Sequence, residues 1–275
     1  MSNPFKDYLD IKATNWSSLK LMHTSPLCYR YYQDNPMPDK AAYALGRAVH
    51  CAVLEPSRFE SDVVVFDGRR AGKKWTEFKE ANGDCEIVKP SEMQLIKTMR
   101  DAVLSHPVAS LHLQGGIAET NLEWVDVPTQ LKCKGRADYI TDRRVIDLKT
   151  ARDVDPWKFS GAIASYLYHG QMAFYGDGAV LHGHDVDLPP LIVAVQSSPP
   201  FDVAVYEIGA EALEAGRNLY RGLLDMLKGC MDSGHWSGCA PEVVDVMLPR
   251  WAAGMDEDEG TDGMDWSTVA TTNEP

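Results

Sequence analysis

Apolar residues recur at helical spacing through the first third of the chain and switch to a two-residue period in the middle. Thr14 and Asn15 offer capping oxygens ahead of Trp16, Leu19 and Met22, which share a helical face. Pro26 either breaks that helix or restarts it, since proline fits a first turn. The stretch DKAAYALGRAVHCAVLEPSRF, residues 39–59, carries Ala, Leu and Val at spacing that predicts a helix, and 90–105 predicts another. DGRRAGKKWTEFKEANGD, residues 67–84, lacks a clear period and reads as irregular.

From residue 120 the pattern is that of strands. TNLEWVDV and LKCKGRADYIT are separated by Pro128, Thr129 and Gln130, a connection of hairpin length. RRVIDLKT follows across a tight turn at Thr141 and Asp142. A helical segment is predicted from Pro156 to about Leu181. LIVAVQSS and FDVAVYEI are two more strands, and an amphipathic helix then runs to Gly234. Helices, three strands, helix, two strands, helix predicts an α+β fold with an α/β-type core, a mixed sheet flanked by helices behind a helical N-terminal region. Residues 1–251 read as a single domain, with a helical lead-in over 1–110 and a core over 111–235.

An apolar content of 44% supports a large core. No apolar run is long enough to span a membrane, and the first residues carry no apolar signal core, so a cytoplasmic protein is expected. The six scattered cysteines then read as reduced thiols. A net charge of −13 argues against a nucleic-acid partner until its distribution is considered. Residues 252–275 hold seven acidic residues and no Lys or Arg, which leaves −6 on the rest. This tail reads as a disordered, solvated appendage, with a docking segment for a basic partner as the alternative.

The chemistry concentrates in the middle strands. Asp147 and Lys149 point to the same face of a strand, with Leu148 on the other. If the two strands pair through the turn at 141–142, Asp138 comes near Asp147. Two adjacent carboxylates repel unless one is protonated or a cation intervenes. Mg²⁺ suits such a site, with the Leu148 carbonyl as a further ligand. An ammonium at Lys149 can then touch an attacking water and a scissile phosphate, which suits phosphodiester hydrolysis. On the three residues alone, a salt bridge at a strand end is the plainer reading. His50 closes a GxxxH spacing on a predicted helix, and Gln171 and Tyr175 share a helix face at i and i+4.

The ordered set GRAVH (46–50), Glu119, GRAD (135–138), DLK (147–149) and QMAFY (171–175) resembles the PD-(D/E)xK nuclease superfamily. Within it, the set is most similar to the RecB-like branch and its RecE-type phage and prophage exonucleases, over roughly residues 13–230. The resemblance implies a restriction-endonuclease-like fold. It implies that His50, Asp138, Asp147 and the Leu148 carbonyl hold metal, and that Lys149 activates or orients water. Glu119 would aid a metal or hold the site open, and Gln171 and Tyr175 would brace the site or contact DNA. It further implies two Mg²⁺ or Mn²⁺ ions, 5′→3′ digestion of double-stranded DNA ends to 5′-phosphate products, and 3′ single strands passed to an annealing protein. A homo-oligomeric ring and a setting in a bacterial host or phage-infected cell belong to the same expectation.

For DNA contact the sequence offers GRRAGKKW (68–75), where Arg69, Arg70, Lys73, Lys74 and Trp75 read as a mobile backbone-binding or strand-separating loop, or else as a plain solvated one. Arg136, with Lys132 and Lys134, adds positive charge on the Asp138 face. An inactive scaffold on a nuclease fold, and an endonuclease or single-strand nuclease of the same superfamily, are the competing readings. Cys28, Cys230 and Cys239 fall one thiol short of a Cys₄ set, so no iron–sulfur cluster is expected.

Overall fold

A computed structural model describes residues 8–36, 41–83, 85–240 and 242–248. The acidic tail lies outside the described residues. Asn15 caps helix α1 (Trp16–Leu19) by accepting the Ser18 N–H at 2.8 Å, and a 3₁₀ turn, Lys20–His23, follows. Ser25 caps α2 (Pro26–Asp34), so Pro26 restarts the helix as its first residue. The predicted helix over 39–59 is two, α3 (Ala41–Leu54) and α4 (Pro56–Asp62), because Pro56 cannot continue the hydrogen-bond ladder. Strand β1 (Val63–Val65) pairs in parallel with β2 (Glu86–Val88), a small sheet too short to leave a period in the sequence. Between them lies α5 (Lys73–Ala81), so the supposedly irregular stretch is partly helical. Helices α6 (Pro90–Ser105) and α7 (Pro107–His112) complete the N-terminal region.

The main sheet has five strands in sequential order: β3 (Ile117–Val125), β4 (Lys132–Ile140), β5 (Val145–Ala151), β6 (Leu191–Gln196) and β7 (Val203–Glu207). All neighbours are antiparallel except β5 and β6, which are parallel and joined by α8 (Pro156–Ser165) and α9 (Tyr168–His182). A single helix was expected there; Leu167, at φ +58°, breaks it. Helix α10 (Ala210–Ser233) ends the regular structure.

Side chains alternate across this sheet and feed two cores. Val145, Ile192 and Ala194 pack with Trp16, Met172, Phe174, Tyr220 and Leu224, under α1, α9 and α10. Ile146, Leu148, Val193 and Val195 pack with Val49, Ile96, Met99 and Val103, under α3 and α6. The architecture is therefore α+β, a mixed sheet with helices on both faces. Among the described residues, no helix is long and apolar enough to cross a membrane.

The feature that shapes the site is a fork. β4 and β5 pair only at Tyr139↔Ile146 and Ile140↔Val145 and then separate. The edge of β4 that β5 leaves is taken by the N-terminal segment. Thr14 donates to the Lys132 carbonyl at 2.9 Å and accepts the Lys134 N–H at 2.8 Å. Lys134 reinforces this contact from a buried position, donating its ammonium to the carbonyls of Tyr8 and Ile11 at 2.8 Å each. Burial lowers its pKa, and those carbonyls are what make its charge tolerable.

Candidate active site at a forked sheet

The fork places Asp138 and Asp147 on diverging strands. Where the ladder would continue, the Asp138 carboxylate accepts the Leu148 N–H at 2.8 Å. His50, from α3, sets its Nδ1 3.5 Å from the same Asp138 oxygen. Across β3, the register runs Ala118↔Tyr139 and Thr120↔Ala137, omitting the pair Glu119 and Asp138. Glu119 leaves extended backbone there, with φ +52°, an uncommon conformation for a residue with a Cβ. Its carboxylate turns toward His50 and Asp138, and one donor atom from each of the three lies within 4.8 Å of the others. Arg136 holds it, donating Nε to Glu119 Oε2 at 2.5 Å and Nη1 to Asn121 Oδ1 at 3.0 Å.

Asp147 faces a second set of partners. It is 1% exposed, with Lys149 Nζ 3.0 Å from Oδ2 and Gln171 Nε2 donating to Oδ1 at 3.2 Å. Lys149 approaches Oδ2 off hydrogen-bond geometry, and no other described residue satisfies that oxygen. Burial pushes the Asp147 pKa up to about 7; the Lys149 charge works against that shift and the Asp138 charge adds to it. The Lys149 ammonium also lies 4.9 Å from the Tyr168 ring centre. Helix α9 thus supplies Tyr168, Gln171 and Tyr175 to one place, as the i, i+4 spacing of the last two implied. Tyr175 is buried against Gly135, where an added Cβ would lie 3.0 Å from the ring. The glycine of GRAD and the tyrosine of QMAFY are therefore one packing unit.

His50, Glu119, Asp138, Lys149, Gln171 and Tyr175 line a cleft of about 500 Å³, and Asp147 is buried in contact with two of them, Lys149 and Gln171. A larger depression of about 830 Å³, between α9, α10 and residues 186–190, holds none of them. Sequence reasoning missed Tyr8, Asn15, Tyr43, Arg47 and Arg58, which share the cleft wall. Tyr43, Arg47 and His50 fall at helical spacing on α3, a signal that could have found the first two; nothing local marked Tyr8. Arg47 is bound to Glu86, and Arg58 to Glu55 and Asp62.

The basic stretch stands apart from this cleft. Lys73, Lys74 and Trp75 form the first turn of α5 rather than a loop. Arg70 is committed to Glu92 at 2.6 Å and to the Ile87 carbonyl at 2.8 Å, and Trp75 packs on Phe66. Arg69, Lys73 and Lys74 are exposed, Lys73 lying 3.7 Å from Glu77. Arg136 lines the cleft, but its guanidinium is engaged by Glu119 and Asn121.

The sequence matches the family described as PDDEXK-like domain of unknown function (DUF3799) over residues 16–244. No curated protein matches it. Among solved structures, the chain is similar to a "putative exonuclease" from Eubacterium rectale, with a TM-score of 0.60 and 13% identity over 92% of this chain and 98% of that one. At that identity the likeness shows the fold. A second structure, SSO0001, aligns over 82% of this chain and 87% of that one at 16% identity, and its TM-score of 0.27 carries no argument. The family match spans all five strands of the main sheet together with His50, Glu119, Asp138, Asp147 and Lys149, and the chain belongs to the PDDEXK-like domain family.

Proposed function

We propose that the protein is a metal-dependent DNA exonuclease. It digests linear double-stranded DNA 5′→3′ to 5′-phosphate products and leaves 3′ single strands for an annealing partner. The observation that carries this reading is the Asp147 carboxylate, buried beside Lys149 with one oxygen lacking a hydrogen bond, at the mouth of a fork that also holds Asp138, His50 and Glu119. A structural ion pair in a dry site survives when its remaining lone pairs are satisfied. Here an oxygen is left over, and the charges of Asp138 and His50 act on the same carboxylate. Such a donor set suits Mg²⁺ or Mn²⁺. His50, Glu119 and Asp138 would hold an ion, with Asp147 and the Leu148 carbonyl completing the set. A divalent ion supplies Lewis-acid polarisation of a phosphate oxygen and a more acidic bound water.

The chain's own residues do the rest. Lys149, aimed by Asp147 and the Tyr168 ring, offsets charge that builds on the phosphate and orients the attacking water. Gln171 fixes the rotamer of Asp147, and Tyr175 keeps β4 and α9 at their spacing. Arg69, Lys73 and Lys74, exposed outside the cleft, contact the backbone of the incoming duplex. The exonuclease assignment of the Eubacterium rectale protein, whose fold this chain shares, supports action from ends. A ring of identical subunits would keep such an enzyme on one strand.

The test is digestion of 5′-labelled linear duplex beside closed circular DNA with Mg²⁺. Labelled mononucleotides from the linear DNA and an intact circle are expected, with neither substrate cut by Lys149→Ala. Nicking of the circle would make the protein an endonuclease. Equal release by parent and Lys149→Ala would remove the site.

A further inference from the structure

Arg136 was expected to bind DNA, yet its side chain is only 10% exposed and spends two donors on residues of the neighbouring strand β3, Glu119 and Asn121. Glu119 sits at the one break in the β3–β4 register, with φ +52°. A carboxylate there gains nothing from the ladder, and its backbone holds a conformation disfavoured for a residue with a Cβ. That conformation persists when the surroundings over-determine it. The guanidinium supplies this restraint, because it grips Glu119 by Nε while Nη1 is anchored on Asn121, two residues along the same strand. What the restraint achieves is directional: it leaves Glu119 within 4.8 Å of His50 and Asp138.

We propose that Arg136 is a positioning residue that holds the strained Glu119 carboxylate as a third protein ligand, beside His50 and Asp138, for a divalent cation. The inference rests on the metal reading of the site given above. Arg136 thus acts on the ion through Glu119 and not on DNA. Partners that orient a ligand typically change metal affinity by about 10–100-fold when removed. Their effect vanishes once the ligand itself is gone.

The test is Mn²⁺ titration of the full chain, followed by electron paramagnetic resonance of the free ion, for parent, Arg136→Gln, Glu119→Gln and the double variant. Arg136→Gln should weaken Mn²⁺ binding about tenfold or more. In the Glu119→Gln background it should add nothing, the non-additivity expected of residues acting in series. Asn121→Ala, which removes only the anchor, should weaken binding in the same direction by less, and it carries the test if Arg136→Gln does not fold. DNA affinity measured without divalent ion should keep its salt slope in Arg136→Gln. Unchanged Mn²⁺ affinity in Arg136→Gln and Asn121→Ala, or a salt slope smaller by about 1, would overturn the positioning role and leave the metal site standing. A parent that binds no Mn²⁺ would overturn both.

Discussion

Lys134 and Lys149 are the same residue type on adjacent strands, and the fold uses them in opposite ways. Lys134 is consumed by backbone carbonyls of the N-terminal segment; Lys149 faces the cleft beside Asp147. Removing the Lys149 amine, as in Lys149→Ala, should lower phosphodiester cleavage by about 10³-fold, in line with the loss of one charge stabiliser. Duplex affinity should change little, and a binding assay run alongside the cleavage assay checks both. Asp147 carries a pH signature. Its pKa is near 7 in the fold against 3.8 unperturbed. Between those values the folded state holds a proton that the unfolded state has lost, so stability falls as pH rises, until the folded group has ionised above about 7. Thermal melts of metal-free protein should therefore drop from about pH 5 to about pH 7.5 more steeply for the parent than for Asp147→Asn. Added Mg²⁺ should recover the loss at the upper pH, where the carboxylate is charged, and not at the lower. Asp138, Asp147, Lys149 and His50 were legible because their chemistry is written in short spacings. The partners of Arg136 and Arg70 were not legible, because only the register shows which carboxylate Arg136 faces and the Arg70 partner, Glu92, lies on a separate helix.

The strands and the long helices were legible as periods, since each has one buried face. Elements without that contrast were not. Helix α5 has no buried residue, so no apolar stripe marked it. β1 and β2 have three residues each. The break between α8 and α9 falls at Leu167, with no glycine or proline to announce it. The fork itself was invisible, because divergence of β4 from β5 depends on Thr14 replacing β5 along the edge of β4, a contact distant in sequence. This dependence is testable at the level of the segment. Lys134→Met should free residues 8–13 from β4, cost about 1.5–3 kcal/mol for the charged hydrogen bonds lost, and expose that stretch to limited proteolysis. Cleavage activity should fall as well, because Tyr8 and Asn15 wall the cleft. Gly135→Val should disturb the other wall by driving a methyl into the Tyr175 ring, at about 1–3 kcal/mol, with Tyr175→Leu restoring part of the melting temperature.

At the scale of the molecule, the charge of −13 and a phosphate substrate pull in opposite directions. More than half of that excess resides in residues 252–275. A chain ending at 251 should bind duplex DNA faster at low ionic strength. The difference should fade once the Debye length falls to about 10 Å or less, near 0.1 M salt, as stopped-flow association across a salt series would show. The cleft also gathers residues that lie far apart along the protein: Tyr8 at one extreme, Arg47 in α3, Glu86 in β2, Tyr175 beyond the third strand of the main sheet. No stretch of the polypeptide is a blade by itself. A chain halted before Gln171 holds Glu119, Asp138 and Asp147 and still lacks the two side chains that α9 brings to the cleft. If the protein cuts DNA as proposed, the wide scattering of its parts ties cutting to a finished fold.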